Sequence, residues 1–152
     1  MTTTQDYADY EAKLAAVAAL EAESLPQNKA AVFDALAAAG IDNVIVCFDG
    51  CGDTGQIESV TAYAADGAGI ALPNTIIGMR EVIFEGPTVA AEQRSVGEAI
   101  EIMAYALLEE THDGWENNDG AYGEFIFRVA ERAINLDYNE RYTATNFSAH
   151  EF

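Results

Sequence analysis

The hydrophobic residues of this chain change their spacing along its length. They recur at helical intervals from about Tyr7 to Ala39, form a continuous β-branched run at Asn43–Phe48, and alternate with polar residues from Ile57 to Ala64. A continuous apolar run is typical of a buried central strand, and the alternating segment after it predicts the second strand of a hairpin with a wide turn. Glu81–Glu85, which is closed by Gly86-Pro87, predicts a third strand.

The second half of the chain contains a further helix and a further hairpin. Ser95 to Glu98 matches a capping box and therefore marks a helix start. Alternation from Phe125 to Tyr138, interrupted at Glu131-Arg132, predicts the hairpin. The complete order of elements predicts an α+β fold in a single domain, an antiparallel sheet of about five strands with helices packed on one face. The apolar stripe of the Ser95 helix comprises Val96, Ala99, Ile100, Met103, Ala104 and Leu107.

Ser24-Leu25-Pro26-Gln27 divides the helical first part of the chain. This segment also matches a capping box, with proline in the first turn, and predicts a sharp corner between two helices. We accordingly predict an alanine-rich N-terminal helix (1–24), a compact α+β domain (25–142) and a polar-aromatic C-terminal tail (143–152).

The chain is strongly acidic, and its charge excludes several functions. Its 152 residues include seven Lys plus Arg against 26 Asp plus Glu, a formal net charge of −19. Direct binding to nucleic acid or to an anionic membrane needs cations, so the sequence argues against both. A basic protein partner fits the charge, whereas the alternative is a generally acidic, halophilic proteome. No apolar window of membrane-spanning length and no signal peptide is evident, so we expect a cytoplasmic protein with reduced Cys47 and Cys51.

A first glycine-rich segment follows the Asn43–Phe48 strand and carries two carboxylates. Asp49 ends the strand, Asp53 precedes Thr54-Gly55, and their side-chain oxygens can converge across the turn. Calcium and magnesium take oxygen ligands of this kind, so Asp49 and Asp53 are candidate metal ligands, although their spacing is not that of an EF-hand. The alternative is structural, with both carboxylates accepting hydrogen bonds from amides of the turn.

A second glycine-rich segment, 109–124, holds the only tryptophan of the chain. Trp115 is expected to anchor this loop to the core, and His112 is expected to be a solvated turn residue. If the strand from Tyr122 runs antiparallel to the strand ending at Phe48, both loops lie at the same end of the sheet. That arrangement would assemble an acidic rim from Asp49, Asp53, Glu116, Asn118 and Asp119.

Both segments carry sequences by which the chain resembles an uncharacterised protein family of bacterial, plasmid and phage genomes. Phe48–Ile57 matches F-D-G-x-G-D-[ST]-G-x-I, and Trp115–Gly123 matches W-E-N-N-x-G-x-x-G ahead of a hairpin. The resemblance extends from about Leu25 to the C-terminus and implies a mobile-element context without a particular activity. The polar and aromatic motif residues are Asp49, Asp53, Thr54, Trp115, Asn117 and Asn118.

The distribution of charge favours a non-enzymatic interaction protein. From Ser95 to Phe127 the chain has eight acids and no Lys or Arg. We expect a surface for a basic partner formed by Glu98, Glu101, Glu109, Glu110, Asp113, Glu116 and Asp119. In its most specific form the protein mimics nucleic-acid phosphates and occupies a nucleic-acid-binding protein, as antidefence proteins of plasmids and phages do. The alternative is a calcium- or magnesium-binding, even hydrolytic, protein that uses Asp49 and Asp53; no catalytic residue is predicted.

Overall fold

The computed structural model describes residues 3–152, which form two helices and seven strands. In chain order the elements are α1 (Thr3–Ala38), β1 (Asn43–Cys51), β2 (Thr54–Tyr63), β3 (Gly69–Ile70), β4 (Ile76–Ile83), β5 (Thr88–Ser95), α2 (Val96–Thr111), β6 (Ala121–Arg128) and β7 (Ala133–Glu140). Five strands form an antiparallel sheet in the order β3-β2-β1-β6-β7, and β4 pairs with β5 in a separate hairpin. The predicted α+β fold in one domain is confirmed.

The two faces of the main sheet differ in burial, because successive strand residues point to opposite sides. On β1, Val44, Val46 and Phe48 are buried, whereas the residues between them are only half-buried. Phe33 of α1 packs against Phe127 of β6, with ring centroids 6.1 Å apart. The helices therefore cover the face that carries Val44, Val46 and Phe48, and the opposite face is left more open.

The predicted corner at Ser24 is wrong, because α1 continues from Thr3 to Ala38 through Pro26. Ser24 is buried, and its hydroxyl has no hydrogen-bond partner in residues 3–152, so it does not cap a helix. The proline removes one helical hydrogen bond. Tertiary contacts offset this loss: the Asn28 side chain donates to the Arg80 carbonyl (3.0 Å) and accepts from the Arg80 amide (2.8 Å). The boundary predicted between 24 and 25 thus falls within one helix, and residues 1 and 2 lie outside the described part.

The β4–β5 hairpin replaces the predicted third strand at Glu81–Glu85. That segment is the end of β4 and the start of the turn, and it pairs with β5 instead of joining the main sheet. Phe84 in the turn lies edge-on to Tyr10 of α1, at 6.2 Å between ring centroids. The Lys13 ammonium lies 5.0 Å from the centre of the same ring. The hairpin therefore supports the N-terminal half of α1, where Tyr10 and Leu14 remain exposed.

The predictions for the second half of the chain are largely confirmed. Ser95 caps α2, since its hydroxyl accepts a hydrogen bond from the Glu98 amide at 3.2 Å. The buried stripe is as predicted except that Leu108 is fully buried and Leu107 only partly. The Glu131-Arg132 turn joins β6 to β7 in the expected hairpin. Neither helix of the described chain has the length and apolar character needed to cross a membrane.

Candidate functional site

The first glycine-rich segment is a tight hairpin and not the wide turn that the sequence predicted. β1 and β2 pair as far as Cys51 and Thr54, so Gly52 and Asp53 alone form the turn. Both have positive φ (59° and 67°), the geometry whose twist matches that of the flanking strands. Thr54 Oγ1 donates to the Cys51 carbonyl at 3.2 Å, which closes the turn further.

The two glycine-rich loops lie together at one end of the sheet, as predicted. β6 runs antiparallel to β1, with Gly50 opposite Ala121, so the loop before β6 reaches the β1–β2 turn. There the Gly52 amide donates to the Asn118 carbonyl (3.1 Å) and the Asp53 amide donates to the Glu116 carbonyl (3.0 Å). The two loops are therefore a single structural unit, joined through backbone hydrogen bonds.

Trp115 fills the space between the loops, which confirms that it anchors the second loop. It is 6% exposed and meets Phe48 edge to face, with centroids 5.5 Å apart. Its ring lies directly over Gly50 and Gly55, and a Cβ on Gly50 would stand 2.6 Å from Trp115 Cζ3. These two glycines are thus required by close packing against the indole.

Asp49 is held by an arginine that the sequence analysis did not single out. Arg141 follows β7, and its two terminal nitrogens donate to Asp49 Oδ1 (3.0 Å) and Oδ2 (2.9 Å). These hydrogen bonds raise the pKa of the Arg141 guanidinium. The guanidinium also lies over the Tyr122 ring at 4.7 Å. A sequence signal for this ion pair is the single arginine directly after β7. The pairing of β7 with β6, and of β6 with β1, brings that position back to the C-terminal end of β1.

Asp49 and Asp53, the two proposed metal ligands, have different surroundings. Both oxygens of Asp49 accept hydrogen bonds from Arg141, and Asp53 is exposed at the tip of the turn. Asp49 does not accept from amides of its own turn either, since its partner is the arginine. Across residues 3–152, no group of three or more His, Cys, Asp or Glu side chains is placed to hold a metal ion.

A polar cavity of about 300 Å³ opens beside the second loop, lined by its backbone and by Asn117, Asn118, Asp119, Tyr138 and Arg141. His112 borders it too, and the expectation of a solvated turn residue is wrong. Its ring stacks on Tyr138, with centroids 3.6 Å apart and planes within 4°. At the far side, Thr143 donates to Asp119 at 2.7 Å, which ties the start of the C-terminal tail to the loop. The cavity is therefore braced by α2, β7 and the tail.

Tyr138 is expected to ionise later than an ordinary tyrosine. Burial, followed by the nearby carboxylates of Glu140 and Glu116, raises its pKa above the usual value near 10. A raised pKa in the folded state means that this residue contributes stability below pH 10 that is lost as the pH rises through its folded pKa. Tyr138→Phe should remove the latest component of the absorbance titration at 295 nm, whereas the exposed Tyr142→Phe should retain it. An unchanged late component in Tyr138→Phe would contradict the assignment.

The acidic residues singled out by the sequence lie along α2 and on the loop that follows it. Glu98, Glu101 and Glu109 share the outer side of α2, opposite its buried stripe. The others lie at the end of α2 and in the loop before β6: Glu110, Asp113, Glu116 and Asp119. Within residues 3–152 none of these seven forms an ion pair, although four of the seven basic residues pair with acids elsewhere. We call these seven residues the acidic surface.

The fold and the site together define an α+β protein whose helix-covered antiparallel sheet carries two interlocked glycine-rich loops at one end. The chain belongs to a family of unknown function, DUF6878, whose model matches residues 24–152. The expected resemblance to an uncharacterised family is thereby confirmed at that level. No curated protein and no solved structure matches the chain.

Proposed function

We propose that this protein is a non-enzymatic binding protein whose acidic surface takes up a basic surface of a partner protein. The observation that carries the proposal is the clustering of these seven carboxylates on a stretch without Lys or Arg, where no described residue (3–152) forms an ion pair with them. Carboxylates that have no internal cation repel one another, and a cationic partner would relieve that repulsion on binding. A surface of one sign also steers an oppositely charged partner and speeds its association.

The rigidity of the loop supports the same proposal. Backbone hydrogen bonds to Gly52 and Asp53 and the packing of Trp115 fix the part of the acidic surface that lies outside α2. Because the carboxylates are carried by an ordered loop, binding needs little further ordering of the chain. The polar cavity beside the loop, with its stacked His112 and Tyr138, adds shape to this surface but does not present a nucleophile paired with a base.

The test compares two variants of equal net charge in affinity capture. Glu98→Gln/Glu101→Gln/Glu109→Gln alters the acidic surface, whereas Glu11→Gln/Glu23→Gln/Glu85→Gln removes three exposed carboxylates outside it. Proteins retained by the wild type should elute between low and high salt, since exposed charges are screened within about 10 Å at 0.1 M ionic strength. The surface variant should retain at least about tenfold less of these proteins, which corresponds to a loss of about 1.4 kcal/mol in binding free energy. The control variant should retain as much as the wild type. Equal loss in both variants would contradict a localised surface.

The more specific form of the proposal is mimicry of nucleic acid by a protein from a mobile element. The partner would then be a nucleic-acid-binding protein whose cationic site is occupied. Duplex DNA or RNA added to the captured complex should release such a partner, because both ligands would compete for the same cations. Release by salt but not by nucleic acid would still agree with a basic partner, but it would overturn the proposal of nucleic-acid mimicry.

A further inference from the structure

A second cavity lies away from the loops, between the two helices. It has a volume of about 510 Å³ and is formed by α1 around Ala18 to Asn28, by β4 around Met79 to Val82, and by α2 from Ile102 to Glu110. Its lining is mostly apolar, with Leu25, Met79, Val82, Ile102, Met103 and Leu107. We call this cavity the interhelical groove. Cavities of this size and character are typical of binding sites.

Carboxylates stand on both walls of the interhelical groove. Glu21 lies on the α1 wall and Glu110 on the α2 wall, and neither forms an ion pair in the part of the chain that the structure describes. Glu81 on the β4 side is neutralised by Arg94, whose terminal nitrogen donates to both of its oxygens at 3.0 and 3.1 Å. An occupant that matches this groove therefore has an apolar centre and cationic flanks.

The length of the groove limits the form of the occupant. Its walls extend from Ala18 to Asn28 on α1 and from Ile102 to Glu110 on α2, and a rise of 1.5 Å per helical residue makes them roughly 12–15 Å long. A helix of two to three turns fits this length, and an amphipathic helix places its apolar anchors in such a groove at i, i+4 and i+7. Basic residues beside those anchors then lie within reach of opposite walls. Arg80, also in the groove, offers a donor for a backbone carbonyl of the incoming helix.

We propose that the interhelical groove binds a short basic amphipathic helix of the partner protein. The inference rests on the proposed function, and Glu110 links the two because it belongs both to the acidic surface and to the rim of the groove. The partner would thus contribute one recognition helix to the groove while its remaining basic residues face the outer side of α2.

The test uses two fluorescein-labelled synthetic peptides of identical composition and the full-length protein. One peptide repeats leucine at i, i+4 and i+7 with lysine at the other positions, and the second has the same residues scrambled so that no apolar face forms. Fluorescence anisotropy at moderate salt should show the amphipathic peptide binding at least about tenfold more tightly. Glu21→Gln/Glu110→Gln should weaken its binding.

Groove-filling variants decide whether the peptide occupies this groove. Ala106→Phe places a ring in the groove from α2, and Ala22→Phe does so from α1; both alanines are exposed groove residues. Each should reduce the affinity for the amphipathic peptide to that of the scrambled one. Ala37→Phe, at an exposed position of α1 outside the groove, is the matched control and should leave it unchanged. Circular dichroism of all three variants checks that they remain folded.

The outcomes separate this inference from the proposed function. In one outcome, both peptides bind equally, Ala106→Phe and Ala22→Phe leave their binding unchanged, and Glu98→Gln/Glu101→Gln/Glu109→Gln abolishes it. This outcome overturns the proposal that the groove binds a helix but agrees with the proposed acidic surface. Tighter binding of the amphipathic peptide that persists in both groove-filling variants also overturns the groove. If neither peptide binds even at low salt, the groove and the attraction of the acidic surface for cations both fail.

Discussion

Replacement of Trp115 by alanine is expected to destabilise the protein by about 3–5 kcal/mol, the usual cost of removing a large buried aromatic side chain. The indole is 6% exposed, packs against Phe48, and fills the space over Gly50 and Gly55. Its removal leaves a cavity between the two loops that their backbone hydrogen bonds prevent from closing. Urea denaturation followed by far-UV circular dichroism measures the loss, since tryptophan fluorescence is absent in this variant.

The same contact can be tested from the glycine side with a matched pair of substitutions. Gly50→Ala, in β1, forces a methyl group against the indole, and overpacking of this kind costs about 1–3 kcal/mol. Gly78→Ala, in β4, is the control because a Cβ there has no atom within 4 Å. A similar free energy of unfolding for the two variants would show that Trp115 does not press on the first loop.

Substitution of Gly120 by alanine is expected to have the second large effect. Gly120 has φ of 77°, and a Cβ on it would overlap the Gly50 carbonyl oxygen. The left-handed conformation alone costs alanine roughly 1–2 kcal/mol. The overlap with backbone adds to this cost, since a carbonyl fixed in a β-ladder cannot rotate away as a side chain can. We expect the second loop to be displaced from β1, or the chain to lose its cooperative unfolding.

Gly67→Ala isolates the contribution of the overlap. Gly67 also has a positive φ, 85°, but a Cβ there would have no atom within 4 Å. This variant therefore carries only the backbone strain. The difference in free energy of unfolding between Gly120→Ala and Gly67→Ala should be at least ~1 kcal/mol, the lower end of the cost of overpacking. Equal values from urea denaturation would show that the two loops are less closely packed than described.

Much of the fold could be predicted because local signals agreed with tertiary packing. The Ser95 capping box, the apolar stripe of α2, and the alternation in β6 and β7 each specify one element, and the core uses the same residues. The position of both loops at one end followed from pairing β1 with β6 in antiparallel orientation. These elements needed no information beyond their own sequence and the order of the chain.

Other elements could not be predicted because distant contacts override their local sequence. Pro26 and a capping-box pattern indicate a helix start, yet α1 passes through them. Just after the proline, Asn28 bonds to the Arg80 backbone, which lies 52 positions away and has no signal in the local sequence. The sequence Thr88–Ser95 has no clear alternation and therefore does not predict a strand. It forms β5 by pairing with β4. The two-residue β1–β2 turn was missed because Gly-Asp is a less usual sequence for this geometry than Asn-Gly.

The location of the candidate site was predictable, but the ion pair of Asp49 with Arg141 was not. The glycines and Trp115 of the two motifs were correctly placed together, and the structure explains them by close packing. The sequence does not indicate that Asp49 pairs with Arg141, because the two residues are 92 positions apart and share no local pattern. The acidic surface remains a prediction from charge; among residues 3–152, its seven carboxylates form no ion pair.

The ion pair between Asp49 and Arg141 also has a consequence for how the chain folds. It joins residues 92 positions apart and closes the end of the sheet where the two loops meet. Contacts between such distant residues form slowly, because the entropy of closing the intervening loop is lost before the contact is gained. During synthesis on the ribosome, the first hairpin can form early, but the carboxylate of Asp49 must wait until Arg141, 92 positions later, has been made. Assembly of this end of the molecule is therefore expected to be a late step of folding, which follows formation of the first hairpin.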